Sequence, residues 1–143
     1  TKYGISKRQY PKLDIPNLTI QQAKDIYYLD YWLPSNADIL VWPLALCVFD
    51  MSVNMGIKTA RNFLTDEITW EHYLCNRTKR YFKYAKIDHT TTLIQWANVN
   101  WINGIREYVK IPIAHPHLRG WLNRIIRLYD YCQQEELNDH PMA

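Results

Sequence analysis

The chain has 143 residues, a length that suits one domain with a single sizeable core. Hydrophobic residues make up 48% and charged residues 22%, an ordinary balance for a folded globular protein. No run approaches the roughly 18 apolar residues of a membrane span, and the net charge of +3 favours anionic surfaces without choosing between cell-wall polymers and nucleic acid.

The share of aromatic residues is unusually high. Six Trp, eleven Tyr and three Phe are more than a core of this size needs, so some rings are expected at the surface. Exposed rings commonly hold sugars. For any single ring, the simpler interpretation is a half-buried position at the edge of the core, with the polar tip in water.

The first predicted helix covers residues 20–31, after an irregular segment that contains two prolines. Thr19 and Gln22 have the spacing of a capping box, in which each side chain binds the backbone N–H of the other residue. Apolar residues then recur at helical spacing. Trp32 and Pro34 are expected to end this helix.

The segment from residue 43 to residue 54 is almost continuously apolar, which predicts a central helix buried on all sides. Pro43 fits the first turn of this helix. Gly56 is able to end it in a left-handed conformation. A second, short helix is predicted over residues 57–64.

Three more helices are predicted in the second half of the chain. They cover residues 67–85, where Glu67 favours the helix start, residues 90–109, and a last helix that frays from Glu135. The last helix has one apolar stripe, formed by Leu118, Trp121, Leu122, Ile125, Leu128, Tyr129 and Cys132. No segment alternates with period two, so the predicted fold is all-α.

The cysteines and histidines give little sign of a metal or cofactor, and none is predicted. The cysteines are odd in number, widely spaced and surrounded by apolar residues, which predicts buried free thiols at Cys47, Cys75 and Cys132. His115 and His117 flank a proline and have no further ligand nearby, which is weak evidence for a metal site.

Several segments in this order resemble glycoside hydrolase family 108, the lysozyme-like N-acetylmuramidases of phages and bacteria. They are Thr1-Lys-Tyr-Gly-Ile-Ser6, Leu18-Thr-Ile-Gln-Gln-Ala-Lys-Asp-Ile-Tyr27 with Asp30-Tyr-Trp32, and Pro43-Leu-Ala-Leu-Cys-Val-Phe-Asp-Met-Ser-Val-Asn-Met-Gly56. A fourth, Arg119-Gly-Trp-Leu-Asn-Arg124, is similar to the end of the peptidoglycan-binding domain that usually follows. Residues 87–113 match the family pattern least.

The resemblance implies a lysozyme-like helical domain with the apolar helix at its centre. Residues 1–66 would be the C-terminal part of the catalytic domain, residues 67–135 a peptidoglycan-binding-like portion packed on it, and residues 136–143 a flexible tail. The implied substrate is the glycan strand of peptidoglycan, in the bacterial periplasm or cell wall. The implied setting is a phage endolysin or a lysin associated with other virion proteins.

The resemblance also places the site residues. The family's general acid is the Glu of a Glu-Gly-Gly-Tyr motif, which is absent here and expected upstream of Thr1, so this chain alone is predicted to be inactive. Thr1 would be an auxiliary catalytic residue, and Tyr3, Asp50 and Asn54 would bind substrate. Each has a structural alternative: Thr1 an ordinary loop hydroxyl, Tyr3 a ring that packs the loop, Asp50 the partner of an arginine or loop, and Asn54 a helix cap.

Three other functions remain open from the sequence. The chain could be a non-catalytic wall-binding or virion module that keeps the fold. The run 77–86, which interleaves basic and aromatic residues, is typical of some nucleic-acid binders but more often forms a solvated helix face. A nucleophilic Thr1 is the least favoured, because such hydrolases are built on sheets and this sequence predicts almost no strand.

Overall fold

The computed structural model describes residues 1–89 and 94–139. Six α-helices follow one another in this part of the chain: α1 Ile20–Tyr27, α2 Leu44–Met55, α3 Ile57–Asn62, α4 Trp70–Tyr84, α5 Trp101–Tyr108 and α6 Leu118–Asp139. Short 3-10 turns lie at Ile15–Asn17 and Ala37–Ile39. No strand forms within the described residues, so the prediction of an all-α fold is confirmed. None of these helices is both long and apolar enough to cross a membrane.

Helix α1 begins as the sequence predicts. The Thr19 hydroxyl accepts a hydrogen bond from the Gln22 N–H at 3.1 Å, and the Gln22 side chain accepts one from the Thr19 N–H at 2.9 Å. The end of the helix is less regular, because residues Tyr28–Trp32 form a π-helical turn. Such turns are rare and occur often at functional sites.

Helix α2 is at the centre of a large core, as predicted, but it is not buried on all sides, because Phe49, Asp50 and Val53 are only partly buried and Asn54 is exposed. Cys47, Val48 and Met51 are fully buried within it. Buried residues of α3, α4, α5 and α6 complete this core, and the predicted stripe of α6 faces it through Leu118, Leu122, Ile125 and Cys132. All three cysteines are buried free thiols, which confirms that prediction.

Gly56 lies between α2 and α3 with φ 94° and ψ 150°. The positive φ agrees with the prediction, but the ψ value places the residue in the extended, nearly glycine-only region instead of the left-handed helical one. The chain therefore turns sharply here and enters α3 at once. Helix α3 ends at Asn62, two residues before the predicted end.

A second, smaller cluster lies at the N-terminus. Its buried residues are Ile5, Ile15, Leu18 and Ala23, and the side chains of Tyr10, Leu13, Ile26 and Tyr27 pack against it. This N-terminal cluster joins the irregular first segment to α1.

Helix α4 begins later than predicted. Its N-cap is Thr69, whose hydroxyl accepts a hydrogen bond from the His72 N–H at 3.1 Å. Glu67 lies in the preceding loop with φ 59°, so the prediction that it begins the helix is wrong. The hydroxyl cap at Thr69 sets the first turn, because it satisfies one of the free backbone donors at the helix start.

Helix α5 is much shorter than the predicted helix over 90–109. The described residues from Ile94 to Asn100 form turns, and residues 90–93 lie outside the described part of the chain. The Asn98 side-chain oxygen accepts a hydrogen bond from the Asn100 N–H at 3.0 Å. Such local bonds compete with helix formation, which explains why the helix starts only at Trp101.

Helix α6 continues past Glu135, where fraying was predicted. Two side-chain pairs one turn apart support its last turns, Tyr131 with Glu135 at 2.9 Å and Gln134 with Asn138 at 3.2 Å. Glu136 also accepts a hydrogen bond from the indole of Trp70. The helix extends through Asp139 because these contacts tie it to α4 and to itself.

Candidate functional site

A groove of 460 Å³ opens between α1 with its π-helical turn, α2 and α6. Four of its eight lining residues are aromatic, and three are charged. We call it the aromatic groove, and its lining residues are Lys24, Tyr27, Tyr28, Trp32, Phe49, Asp50, Val53 and Arg124.

The rings of the aromatic groove hold one another in place. Phe49 packs edge-on against Trp32, with ring centroids 5.5 Å apart, and against Tyr27 at 6.3 Å. Tyr28 is 50% exposed and stands free at the rim. The groove thus presents fixed ring faces together with one exposed ring, an arrangement suited to an amphipathic ligand.

The segment from Thr1 to Ile5 is fixed against one wall of this groove. Lys2 and Ile5 exchange two backbone hydrogen bonds of 2.9 Å, and Tyr3 and Gly4 between them both have positive φ. The Tyr27 hydroxyl donates a hydrogen bond to the Tyr3 carbonyl at 2.7 Å. A Cβ atom at Gly4 would collide with that hydroxyl, so only glycine allows the approach.

Asp50 lines the aromatic groove, and two arginines bind its carboxylate. Its carboxylate binds Arg77 at 2.6 Å and Arg124 at 2.6 and 3.2 Å. Asn54 donates to the Asp50 backbone carbonyl at 2.7 Å, and its amide lies 3.4 Å from the carboxylate. The structure thus shows Asp50 paired with arginines, the structural alternative for this residue.

The arginines keep Asp50 ionised. Burial acts to raise the pKa of this carboxyl, but the hydrogen bonds and charges of Arg124 and Arg77 outweigh it, so the pKa is lowered from 3.8. A general acid needs a proton to donate near neutral pH, which requires a raised pKa. Asp50 therefore cannot protonate a leaving group while these ion pairs are intact.

Arg77 is fully buried and connects three helices. Besides its ion pair with Asp50 on α2, its Nε and Nη2 groups donate to the Tyr81 hydroxyl at 3.0 and 2.8 Å. Tyr81 in turn stacks on Trp121 of α6, with centroids 5.1 Å apart. The interpretation of 77–86 as a solvated face is thus wrong for Arg77 and Tyr81, which lie in the core.

A second groove lies on the other side of Arg124, with a volume of 480 Å³. It is bordered by α4 and α6 and by the end of α2. We call it the arginine groove, and its lining residues are Asn54, Met55, Tyr81, Tyr84, Gly120, Trp121, Arg124 and Arg127. Because Arg124 lines both grooves, they meet at this side chain.

The predicted site residues are only partly brought together. Asp50 lines the aromatic groove and Asn54 the arginine groove, in contact with each other. Thr1 is exposed, Tyr3 is 46% exposed, and neither lines the aromatic groove or the arginine groove. Tyr3 contributes through its carbonyl, which anchors Tyr27.

The sequence reasoning missed the residues that form most of the aromatic groove. The close spacing of Tyr27, Tyr28 and Trp32 on a single helix end was the available signal for the rings. Arg124 was part of a segment singled out for its resemblance, but nothing in the sequence points to its contact with Asp50, 74 residues away.

His115 and His117 pack on the Trp121 ring, with centroids 5.1 and 6.0 Å away. Over the part of the chain that the structure describes, no group of three or more His, Cys, Asp or Glu side chains could hold a metal ion. The two histidines thus extend the aromatic packing beside the arginine groove.

Residues 1–56 match the model of the family Glycosyl hydrolase 108. No curated protein and no solved structure matches the chain. The family match supports a glycosyl hydrolase for the N-terminal part of the chain. It ends before Arg119–Arg124, so it does not reach the segment that resembles a peptidoglycan-binding domain. Every lining residue of the aromatic groove except Arg124 lies within the matched range.

Proposed function

We propose that this chain is part of a peptidoglycan hydrolase of the N-acetylmuramidase type, and that the aromatic groove binds the glycan strand. The observation that carries the proposal is where the lining residues of the groove lie in the sequence. Its four rings, Lys24 and Asp50 all come from the segment that matches Glycosyl hydrolase 108.

The lining of the groove suits a sugar polymer. Sugar rings have apolar faces and polar edges, so they pack on aromatic side chains while their hydroxyl groups bind charged ones. The faces of Tyr28 and Trp32 serve the first need. The charged groups of Lys24 and Arg124 serve the second.

Hydrolysis of a glycosidic bond needs a protonated carboxyl near the leaving oxygen. Asp50 is the one carboxylate in the lining of the aromatic groove, and its ion pairs with Arg77 and Arg124 keep it ionised. In our proposal, a glutamate ahead of Thr1 supplies the proton, Thr1 is auxiliary, and Tyr3, Asp50 and Asn54 support the substrate-binding surface. The substrate places the protein at the bacterial cell wall, as a free lysin or attached to a phage particle.

The catalytic part of the proposal is tested with purified peptidoglycan and two chains. One is the chain of residues 1–143, and the other also carries the residues encoded ahead of Thr1. We expect both to sediment with the wall and only the longer one to release reducing ends. Borohydride reduction of the products should then yield N-acetylmuramitol, which identifies the bond that is cleaved.

The role of the aromatic groove is tested with Tyr28→Ala, which removes an exposed ring from its rim. Tyr131→Ala is the matched control, because Tyr131 is 53% exposed and lies on α6, outside the aromatic and arginine grooves. We expect Tyr28→Ala to weaken wall binding several-fold and the control to leave it unchanged.

Two results would contradict the proposal in different ways. If the longer chain neither binds nor cleaves the wall, both the substrate and the reaction are wrong. If it binds the wall without releasing reducing ends, the alternative of a non-catalytic wall-binding module replaces the hydrolase.

A further inference from the structure

The arginine groove contains one arginine, Arg127, whose charge no carboxylate in the lining balances, whereas Arg124 is paired with Asp50 outside that lining. Its lining includes Arg124 and Arg127 and no carboxylate. Arg80 lies over the ring of Tyr84, with its guanidinium carbon 5.9 Å from the ring centroid, and adds to the positive potential of the groove. A concave surface lined by charges of one sign concentrates ligands of the opposite sign.

The guanidinium of Arg127 is exposed and available. Within residues 1–89 and 94–139 it forms no ion pair or hydrogen bond. In contrast, the Nε and Nη2 groups of Arg124 donate hydrogen bonds to Asp50. A free guanidinium fork binds a carboxylate through two parallel hydrogen bonds. The groove therefore has one free guanidinium group, that of Arg127, beside the guanidinium group of Arg124, which is already bound to Asp50.

The walls and floor of the arginine groove leave room for a ligand. Tyr81 stacks on Trp121 at 5.1 Å, and Tyr84 meets the same indole edge-on at 6.4 Å. At Gly120, no atom lies within 4 Å of the position that a Cβ would occupy. The groove thus combines packed aromatic side chains, open space at Gly120 and two arginines in one lining.

Arg124 lines both grooves, so the two grooves adjoin at this side chain, and a branched ligand is the kind that would contact both. We propose that the arginine groove binds a free carboxylate on the peptide branch of a glycan strand, with Arg127 as the residue that holds it. This inference rests on the proposed function, because it assumes that the strand itself lies in the aromatic groove.

The inference is tested by sedimentation of residues 1–143 with purified peptidoglycan, before and after its carboxyl groups are converted to neutral amides. We expect the unmodified wall to bind about tenfold more tightly, since one charge-assisted bidentate contact is worth about that factor. Arg127→Gln should abolish this preference, and Arg127→Lys should restore part of it.

A matched control separates this site from the overall charge. Arg119→Gln removes the same charge from α6, but Arg119 lies outside the arginine groove and binds the carbonyl of Ile111. It should keep the preference for free carboxyl groups. If Arg119→Gln loses as much of the preference as Arg127→Gln, the attraction is nonspecific and the inference is wrong.

A second pair of variants tests the groove without changing charge. Gly120→Phe should fill the open space and reduce the preference, while Gly120→Ala should retain it. Thermal unfolding of each variant shows whether it is folded.

The failure of this inference is distinguishable from failure of the proposed function. Equal binding of native and amidated walls by the unmodified chain overturns the role of Arg127 and leaves the aromatic groove intact. Binding to neither wall overturns both.

Discussion

The large core and the N-terminal cluster both pack against elements that line the aromatic groove, and they are stabilised in different ways. The large core joins five helices and contains the buried ion pair of Arg77 with Asp50. The N-terminal cluster buries few residues and depends on hydrogen bonds to backbone atoms, such as Tyr27 to Tyr3. Because a small cluster with few buried contacts opens at a lower free energy than a large core, we expect the N-terminal cluster to open locally and the large core to open only with global unfolding.

The largest effect is expected in the large core, from Arg77→Ala. Removal of one partner from a buried ion pair costs about 3–5 kcal/mol when the remaining charge is left alone. Arg124 still pairs with Asp50 in this variant, so we expect about 3 kcal/mol, to which the lost donors of the Tyr81 hydroxyl and the lost packing of a fully buried side chain contribute. Urea unfolding monitored by circular dichroism measures the loss. Lys58→Ala, at an exposed position on α3 with no ion pair among the described residues, is the control and should change the free energy of unfolding by less than about 0.5 kcal/mol. A similarly small loss for Arg77→Ala would show that the ion pair does not support the core.

The next effect concerns the N-terminal cluster. Gly4→Ala places a Cβ against the Tyr27 hydroxyl at a residue with φ 80°, and such strain costs about 1–3 kcal/mol. We expect faster amide hydrogen exchange in residues 2–10 and unchanged exchange in α4. Tyr27→Phe removes the hydroxyl itself and should relieve the clash in the double variant. If exchange in α4 rises together with that of the N-terminus, the two regions unfold as one unit.

A smaller effect compares two equivalent helix caps. Thr19 caps α1 beside the N-terminal cluster and Thr69 caps α4 in the large core, each through a hydroxyl at 3.1 Å from a backbone nitrogen. Either change to alanine should cost about 1 kcal/mol. For Thr69→Ala the loss should appear in global urea unfolding. For Thr19→Ala it should appear as local hydrogen exchange, and the reverse pattern would contradict the comparison.

The smallest effect is expected on the pH dependence of stability. The folded state lowers the pKa of Asp50 below 3.8, but burial offsets part of what the arginines contribute, so the net change is limited. The resulting stabilisation is present above pH 3.8 and is lost as pH falls through the lower folded pKa. Asp50→Asn should lose less stability between pH 5 and pH 3 than the unmodified chain. Parallel losses in the two chains would mean that Asp50 does not titrate as inferred.

Features that depend on neighbours in the chain were predictable from the sequence. The capping box of Thr19 and Gln22, the apolar helix around Val48 and the stripe of α6 all follow from local spacing, and the structure has each of them. The start of α5 was not predictable from periodicity alone, because the Asn98 side chain competes for the backbone. The spacing of apolar residues indicates which face of a helix would be buried. It does not show where a side chain competes for the hydrogen bonds of the backbone.

The candidate site was harder to predict, because its contacts join distant residues. The sequence suggested an arginine partner for Asp50, but it gave no means of choosing Arg77 and Arg124, which lie 27 and 74 residues away. Likewise, Tyr3 was singled out for its ring, while the structure uses its carbonyl. Only the fold determines which polar atoms of such residues face one another.

The two arginines on Asp50 have a consequence for recombination of this protein. A chimera that joins residues 1–66 to an unrelated C-terminal half would retain Asp50 but lose both of its cationic partners, since Arg77 and Arg124 come from the replaced half. The orphaned carboxylate would then lie partly buried beside the aromatic groove without compensation. Halves can therefore be exchanged between homologues only when the incoming half supplies guanidinium groups at both positions, which makes this triad a compatibility requirement.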